Sequence, residues 1–185
     1  LTLTQAAGLN ILADSEVTAA PSSGDFSFGG VLNYGSTDIK TVLDSDTNAY
    51  IGDGVTINAP TITMRAEAEH LGSANASKAG ASIAIDIKDI DTIVEDRGSV
   101  NVRIGAASGG TGSSITTKDG GFDVDAYLES QVKSESEALS FSLLAGIPVV
   151  KAVALNEAQA TGHIGDNVSI DVQKGDFDML VDLKG

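Results

Sequence analysis

The sequence predicts an all-β fold, a right-handed parallel β-helix (β-solenoid) built from about three repeats of about 60 residues. Three observations lead to this fold class. The residue composition suits a thin and regular interior, an apolar pattern recurs at a fixed spacing, and apolar and polar residues alternate with a period of two between turn residues.

The apolar residues are mostly small and aliphatic. They make up 42% of the 185 residues, yet there are only five Phe, three Tyr and no Trp. Small stacked side chains fill a thin interior, whereas a broad core needs larger rings. The chain also has 21 Gly, dispersed among Ser, Asn, Asp and Thr, which is typical of many turns. We therefore expect many short strands.

The clearest repeat places Met64–Gly105 over Val124–Gly165 without a gap, at an offset of 60. Identity is low, but the apolar positions coincide, as a shared inward-facing pattern with free outward residues would give. A third copy precedes these and covers Gly24–Gly52. The coinciding apolar positions are Ile83 and Leu143, Ile87 and Ile147, Ile90 and Val150, Ile93 and Val153, and Ile104 and Ile164.

We expect one solenoid fragment over residues 1–185, with repeats at approximately 1–60, 61–120 and 121–185, the last one incomplete. A period near 60 is long for one coil, so we predict two to three coils of roughly 20 to 30 residues in each repeat. Stacking these coils would give a rod of about 35 to 45 Å. Because the chain begins at Leu1, without a starting Met, we expect a piece of a longer protein.

Two alternatives to this arrangement stay open. Ala66–Gly80 and Ala126–Leu139 are rich in good helix formers, so a helix is possible in each. A β-sandwich or barrel would also explain many short strands, but it gives no reason for a repeat of 60 with a constant apolar phase.

The net charge of −15 argues against several kinds of partner. With 26 acidic against 11 basic residues, the surface would repel nucleic acid and anionic lipid headgroups. No apolar run approaches the roughly 20 residues that a spanning helix needs. We expect no nucleic-acid partner and no membrane insertion of this segment. Cysteine is absent, which excludes disulfides and thiolate chemistry.

Asp53 and Asp166 are the candidate metal ligands. Each follows an Ile-Gly pair at the end of a strand pattern, and a carboxylate with turn carbonyls can supply the oxygens that Ca²⁺ requires. The alternative needs no metal, because a turn Asp often accepts hydrogen bonds from local backbone. The middle copy has Ala106 at this position, followed by a glycine-rich stretch to Ser114 that we interpret as a flexible turn.

An acidic cluster offers the second candidate site. Paired carboxylates can act as acid and base on a glycosidic bond, but alternating Ile residues suggest instead a solvated strand face. His70 and His163 are the only histidines, and with no motif around them we expect both at the surface. The cluster comprises Asp86, Asp89, Asp91, Glu95 and Asp96.

Ala49–Asp53 and Gly162–Asp166, each followed by a Val-x-Ile strand pattern, carry a family resemblance. They resemble the repeats of very large bacterial surface proteins, the filamentous haemagglutinin-type and leukotoxin-like filamentous adhesins. This resemblance implies export, a right-handed parallel β-helix, and a role as a stalk or adhesive surface. The repeats of this family are structural, so the resemblance implies no catalytic residue.

We therefore expect a structural or adhesive stalk segment of a secreted or surface-anchored bacterial protein, located outside the cell and without enzyme activity or an obligatory cofactor. Its expected partners are a host or neighbouring-cell surface, including glycans, and the flanking repeats of the same chain, with end-to-end association between copies. The alternatives are a polysaccharide-binding or polysaccharide-cleaving β-helix that uses surface carboxylates, and a calcium-stabilised module.

Overall fold

The computed structural model describes residues 1–185 as fifteen strands without a helix. All strand pairs are parallel and form four sheets, which confirms the all-β prediction. The helical alternative for Ala66–Gly80 and Ala126–Leu139 is wrong, because each segment lies inside a strand of 21 residues. No helix exists that could cross a membrane.

Each sheet takes one strand from every passage of the chain through it, except that sheet B takes two strands, β2 and β3, from the first passage. Sheet A contains β1 (Thr2–Thr4), β6 (Thr56–Ala59), β10 (Ser113–Thr117) and β14 (Val168–Val172). Sheet B contains β7 (Ile62–Ser82), β11 (Phe122–Ser142), β15 (Phe177–Lys184), and β2 (Leu9–Ala19) and β3 (Ser22–Phe28), which both pair with β7. Sheet C contains β4 (Leu32–Leu43), β8 (Ile85–Asp96) and β12 (Ala145–Asn156). Sheet D contains β5 (Asp46–Ile51), β9 (Ser99–Ile104) and β13 (Gln159–Ile164).

The chain visits the sheets in the order A, B, C, D three times and then enters A and B once more. We call one such passage a round. Met64 pairs with Val124, and Ile104 pairs with Ile164. The offset of 60 seen in the sequence is therefore the strand register between the second and third rounds, as the apolar pattern predicts.

Each repeat forms a single round, so the prediction of two to three coils in each repeat is wrong. β7 and β11 use 21 residues each, and a round therefore needs between 53 and 60 residues. At a strand spacing of about 4.8 Å, the four strands of sheet A span roughly 14 Å, much less than the predicted rod of 35 to 45 Å. The period of about 60 residues is the length of one long round, and three such rounds stack to a shorter length than the predicted rod.

An apolar core fills the space between sheets A and D and the first half of sheet B. Ile57 and Ile115 enter it from sheet A, Ile104 from sheet D, and Phe122 from sheet B, all at most 3% exposed. The ring of Phe122 packs edge-to-face on Phe177 at 5.3 Å. Alternate residues of short strands supply this core, which agrees with the period-two pattern.

A second interior lies between the second half of sheet B and sheet C, and it is lined by polar side chains. Asp86, Lys88, Thr92 and Asp96 of β8 all point into it and are fully buried. This corrects the expectation that the acidic cluster forms one solvated face. The alternate positions point outward and include apolar residues that were expected inside. Ile87 and Ile93 are two such residues, and Ile83, in the turn before β8, is also exposed, whereas Ile90 is buried as expected.

Candidate functional site

The outer face of sheet D brings together side chains that three separate rounds supply. In this sheet, Ile51 and Ile104 point into the apolar core, so the neighbouring positions must point to solvent. The register aligns Tyr50 with Arg103 and Arg103 with His163, and all three are exposed. An aromatic ring, a guanidinium and an imidazole thus form one column across the three rounds.

A second column of polar side chains runs beside the first. The amide nitrogen of Asn101 donates to Oδ1 of Asn48 at 3.0 Å and to Oγ of Ser99 at 2.9 Å. The hydroxyl of Thr161 donates to Oδ1 of Asn101. These hydrogen bonds fix the orientations of the side chains, so that the column is pre-organised in the absence of a ligand.

Arg103 is the positive charge of this face. Its guanidinium carbon lies 5.8 Å from the centroid of the Tyr50 ring, within range of a cation–π contact. The chain's other two arginines form ion pairs, Arg65 with Glu67 and Arg97 with Glu95. Arg103 has no carboxylate within ion-pair distance, so its donors remain available to a ligand.

The glycine-rich turn from Gly105 to Ser114 borders this face, and Asp53 holds it from the preceding round. The carboxylate of Asp53 accepts hydrogen bonds from the amide and hydroxyl of Thr111 at 2.7 and 2.8 Å, and from the amide of Gly112 at 3.0 Å. The backbone hydrogen bond from Thr111, followed by its hydroxyl, lowers the pKa of Asp53 from its ordinary value. The turn is therefore anchored, although its sequence predicts a flexible one.

Asp166 and Asn167 hold the same turn from the following round. The amide of Gly109 lies 3.5 Å from Oδ2 of Asp166, and the side-chain amide of Asn167 donates to the carbonyl of Gly110 at 3.1 Å. Asn167 has a φ of 58°, the counterpart of Gly54 at 65° in the earlier copy. The two Ile-Gly-Asp turns thus share one backbone shape and enclose the longer middle turn.

Asp53 and Asp166 do not converge on a common point. They occupy the same turn in rounds that the glycine-rich turn separates. The N–H and O–H groups directed at Asp53 carry partial positive charge, which suits a carboxylate and disfavours a cation. The chain contains no group of three or more His, Cys, Asp or Glu side chains that could hold a metal ion. The Asp53 carboxylate accepts hydrogen bonds, as the alternative without a metal expects, but the bonds come from a turn 58 residues further along the chain and not from local backbone. Calcium binding stays a prediction.

The two columns and Ala107 of the glycine-rich turn line a groove of about 500 Å³. Comparisons with family models, curated proteins and solved structures find no match to this chain. The groove's own chemistry is therefore the basis for its function. It combines an aromatic ring, an unpaired guanidinium and a row of amides and hydroxyls, the groups that proteins use to fix polar ligands of moderate size.

His70 is fully buried, which corrects the expectation of a surface histidine. Its Nδ1 lies 3.0 Å from both carboxylate oxygens of Asp96, and its Nε2 lies 3.4 Å from Oγ of Ser45. Asp96 also accepts hydrogen bonds from the hydroxyl of Ser130 and the amide of Gly98. This Ser–His–Asp order resembles a nucleophilic triad, but neither His70 nor Asp96 has surface that a substrate could reach.

Asp86 and Lys88 form a second buried pair, at the other end of the polar interior. Nζ of Lys88 donates to Oδ1 of Asp86 at 2.7 Å and to Oγ of Ser27 at 2.8 Å, while Asn33 donates to Oδ1 of Asp86 at 2.9 Å. Burial alone would raise the pKa of Asp86, but the hydrogen bond and charge of Lys88 hold it below its ordinary value. Asp86 therefore stays in the interior. Asp89, Asp91 and Glu95 lie on the outer face of β8, where the first two side chains are partly exposed and Glu95 pairs with Lys40 and Arg97.

The sequence partly indicates the sheet D face. The offset of 60 aligns Arg103 with His163, and His163 is exposed as expected. Tyr50 belongs to the segment that carries the family resemblance, but its place in the column depends on a register shift of 53 rather than 60. Extending the alignment to the first copy with that shift would have found the whole column.

Proposed function

We propose that the chain is a segment of a right-handed β-solenoid in which every repeat makes one layer. The support is the identical order of the four sheets in each round and the gap-free parallel register between rounds. In such an architecture each layer contacts only its neighbours, so flanking repeats extend the stack and free ends associate with each other. This serves a structural stalk of a secreted or surface-anchored bacterial protein.

We further propose that the outer face of sheet D gives this stalk its adhesive property by binding saccharides on a host or neighbouring cell. The column of Tyr50, Arg103 and His163 is the observation that carries this proposal. An aromatic ring presents an apolar face for the C–H surface of a sugar. The guanidinium of Arg103 then supplies hydrogen-bond donors, and the polar column of Asn48, Asn101 and Thr161 supplies donors and acceptors, for the hydroxyl groups of the sugar.

The proposal assigns no catalytic residue and no cofactor. Cleavage of a glycosidic bond needs two accessible carboxyl groups on either side of it. Asp86 and Asp96 are bonded to Lys88 and His70 inside the molecule, and Asp91 pairs with Lys151 at 3.1 Å. No arrangement of the cluster favours the cleaving alternative.

A glycan-binding experiment tests the adhesive role. The 185-residue chain is applied to an immobilised panel of neutral and acidic oligosaccharides, together with Arg103→Ala and the matched control Arg65→Ala. Both arginines are exposed, but Arg65 lies on sheet B beside Glu67. We expect binding to at least one saccharide class, a loss of about tenfold in Arg103→Ala because one charged hydrogen bond disappears, and no loss in the control. Equal binding by both variants, or no binding at all, would contradict the proposal.

A further inference from the structure

The turns between sheets B and C form an edge whose exterior is apolar and whose interior is polar. Phe28, Leu139 and Phe141 point outward on sheet B, with 73%, 51% and 57% of their surfaces exposed. The register stacks Phe28, Ala81 and Phe141 in one column. Exposed apolar patches of this kind mark interaction surfaces in soluble proteins.

The same edge is apolar in the turns and on its opposite face. Ile83 and Leu143 occupy the stacked turns and are 58% and 83% exposed. On sheet C, Leu32 and Tyr34 point outward and are 60% and 61% exposed. Sheets B and C pack against each other here through Lys88 and Ser27, so apolar residues lie on both faces and the tip. A partner must therefore surround this apolar edge, rather than cover one side.

Hydrogen bonds between rounds satisfy part of the backbone of these turns. The amide of Ile83 donates to the carbonyl of Gly30 at 2.7 Å, and the amide of Leu143 donates to the carbonyl of Ile83 at 3.3 Å. Turns normally depend on water for such bonds, but these bond to the turn of the neighbouring round. These bonds lower the cost of placing the turns in an apolar phase, because unpaired backbone groups are the principal cost of irregular backbone in lipid.

The charges around the apolar edge restrict the kind of partner that can surround it. The charged outer side chains nearest the turns are Glu137 on sheet B and Asp89 on sheet C. At about 3.3 Å per residue, counted from Ser142 to Glu137 and from Ile85 to Asp89, the uncharged outer surface extends roughly 13 to 17 Å back from the turns. That is more than the roughly 5–10 Å to which interfacial segments enter a bilayer, so these charged side chains would stay outside the apolar phase. The net charge of −15 repels anionic headgroups, and the acidic flanks of the edge repel the same edge of a second copy.

We propose that the apolar edge inserts as a shallow wedge into the surface of an uncharged, zwitterionic lipid bilayer. The wedge does not span the membrane, but it departs from the sequence expectation of no membrane insertion. That expectation rests on the lack of a spanning segment and on the repulsion of anionic headgroups by the acidic surface. Aromatic residues at the edge, including Tyr34, suit the boundary between headgroups and acyl chains. The inference goes beyond the saccharide surface, which lies on sheet D and shares no residue with this edge.

Co-sedimentation with phosphatidylcholine vesicles tests the wedge. The intact chain is compared with Phe141→Ser/Leu143→Ser and with the control Leu12→Ser/Leu180→Ser, whose leucines are 67% and 60% exposed on sheet B away from the edge. We expect the intact chain and the control to bind at low and high salt alike. The edge variant should bind at least about tenfold more weakly, because two apolar side chains no longer leave water.

Circular dichroism and thermal melting of each variant show that the fold persists, which the exposure of all four side chains predicts. Three results would overturn the proposal: no binding to neutral vesicles, binding that requires anionic lipid, or an equal loss in the control. Self-association by light scattering that depends on Phe141 and Leu143 would also overturn it, because a second copy would then be the occupant.

Discussion

Lys88 and Asp86 lie two residues apart on β8 and form an ion pair of 2.7 Å with both side chains fully buried. Two charges withdrawn from water are tolerated only when each compensates the other and further hydrogen bonds satisfy them. Ser27 and Asn33, from the preceding round, provide those bonds. The pair and its hydrogen-bond partners therefore join two rounds and help to fix their relative register.

Lys88→Met should destabilise the protein by about 3–5 kcal/mol, because it leaves Asp86 buried without its partner. The matched control is Lys151→Met, which removes an ion pair to Asp91 whose lysine is 57% exposed and which should cost less than about 1 kcal/mol. Urea unfolding followed by circular dichroism measures both. Equal costs for the two variants would mean that the buried pair contributes no more than a surface one.

Asp86 should also make stability depend on acid. Its pKa is lower in the folded protein than its ordinary value of 3.8, so its charge stabilises the fold above about pH 4, and this contribution is lost as the pH falls through the folded pKa. The free energy of unfolding should thus decrease more steeply in acid for the intact protein than for Asp86→Asn. Parallel pH profiles for the two would show that this carboxylate is not stabilised by folding.

Gly80→Ala should be destabilising by about 1–3 kcal/mol, because the added methyl group would overlap the end of the Lys88 side chain and lie 2.9 Å from the carbonyl of Ser27. Gly30→Ala is the control, since a methyl group there meets nothing within 4 Å. Thermal melting compares the two. If Gly80→Ala has the same melting temperature as Gly30→Ala, sheets B and C are further apart here than the structure shows.

Asp53→Ala should release the glycine-rich turn, because the amides of Thr111 and Gly112 lose their acceptor. Hydrogen exchange at these two amides should accelerate, and less so in Asp166→Ala, whose single contact to Gly109 is 3.5 Å long. EDTA should leave the melting temperature unchanged. A melting temperature that EDTA lowers, with the effect absent in Asp53→Ala, would instead establish the calcium site.

The register of the strands could be predicted from the sequence, but the residues that line the interior could be predicted only in part. The offset that aligns Ile104 with Ile164 is the actual register, because strands stacked in layers must repeat their inward pattern. Ile87 and Asp86 were nevertheless assigned to the wrong faces. Alternation alone specifies two faces without stating which is inside, and the usual rule of apolar inside fails where Lys88 and Gly80 pack against each other.

The number of residues in one round was also not predicted from the sequence. A strand of 21 residues such as β7 contains no break that would signal its length, and the usual strand is about five to six residues long. The polar residues of β7 include His70, which we expected at the surface, and Lys78. They are instead satisfied by partners distant in the sequence, Asp96 of the same round for His70 and the carbonyl of Ser36 in the preceding round for Lys78. Such pairs cannot be recognised in a single sequence.

The central claim, that each repeat forms one layer in register with the next, is tested most directly by engineered disulfides in this cysteine-free chain. Ser77 and Glu137 are register partners on the exposed face of sheet B, about 4.8 Å apart and within disulfide range. Glu135 is displaced by two residues, at roughly 7–8 Å from Ser77. Under mild oxidation, Ser77→Cys/Glu137→Cys should form an intramolecular disulfide rapidly and Ser77→Cys/Glu135→Cys should not. Equal rates, or a faster reaction in the displaced pair, would contradict the layered register.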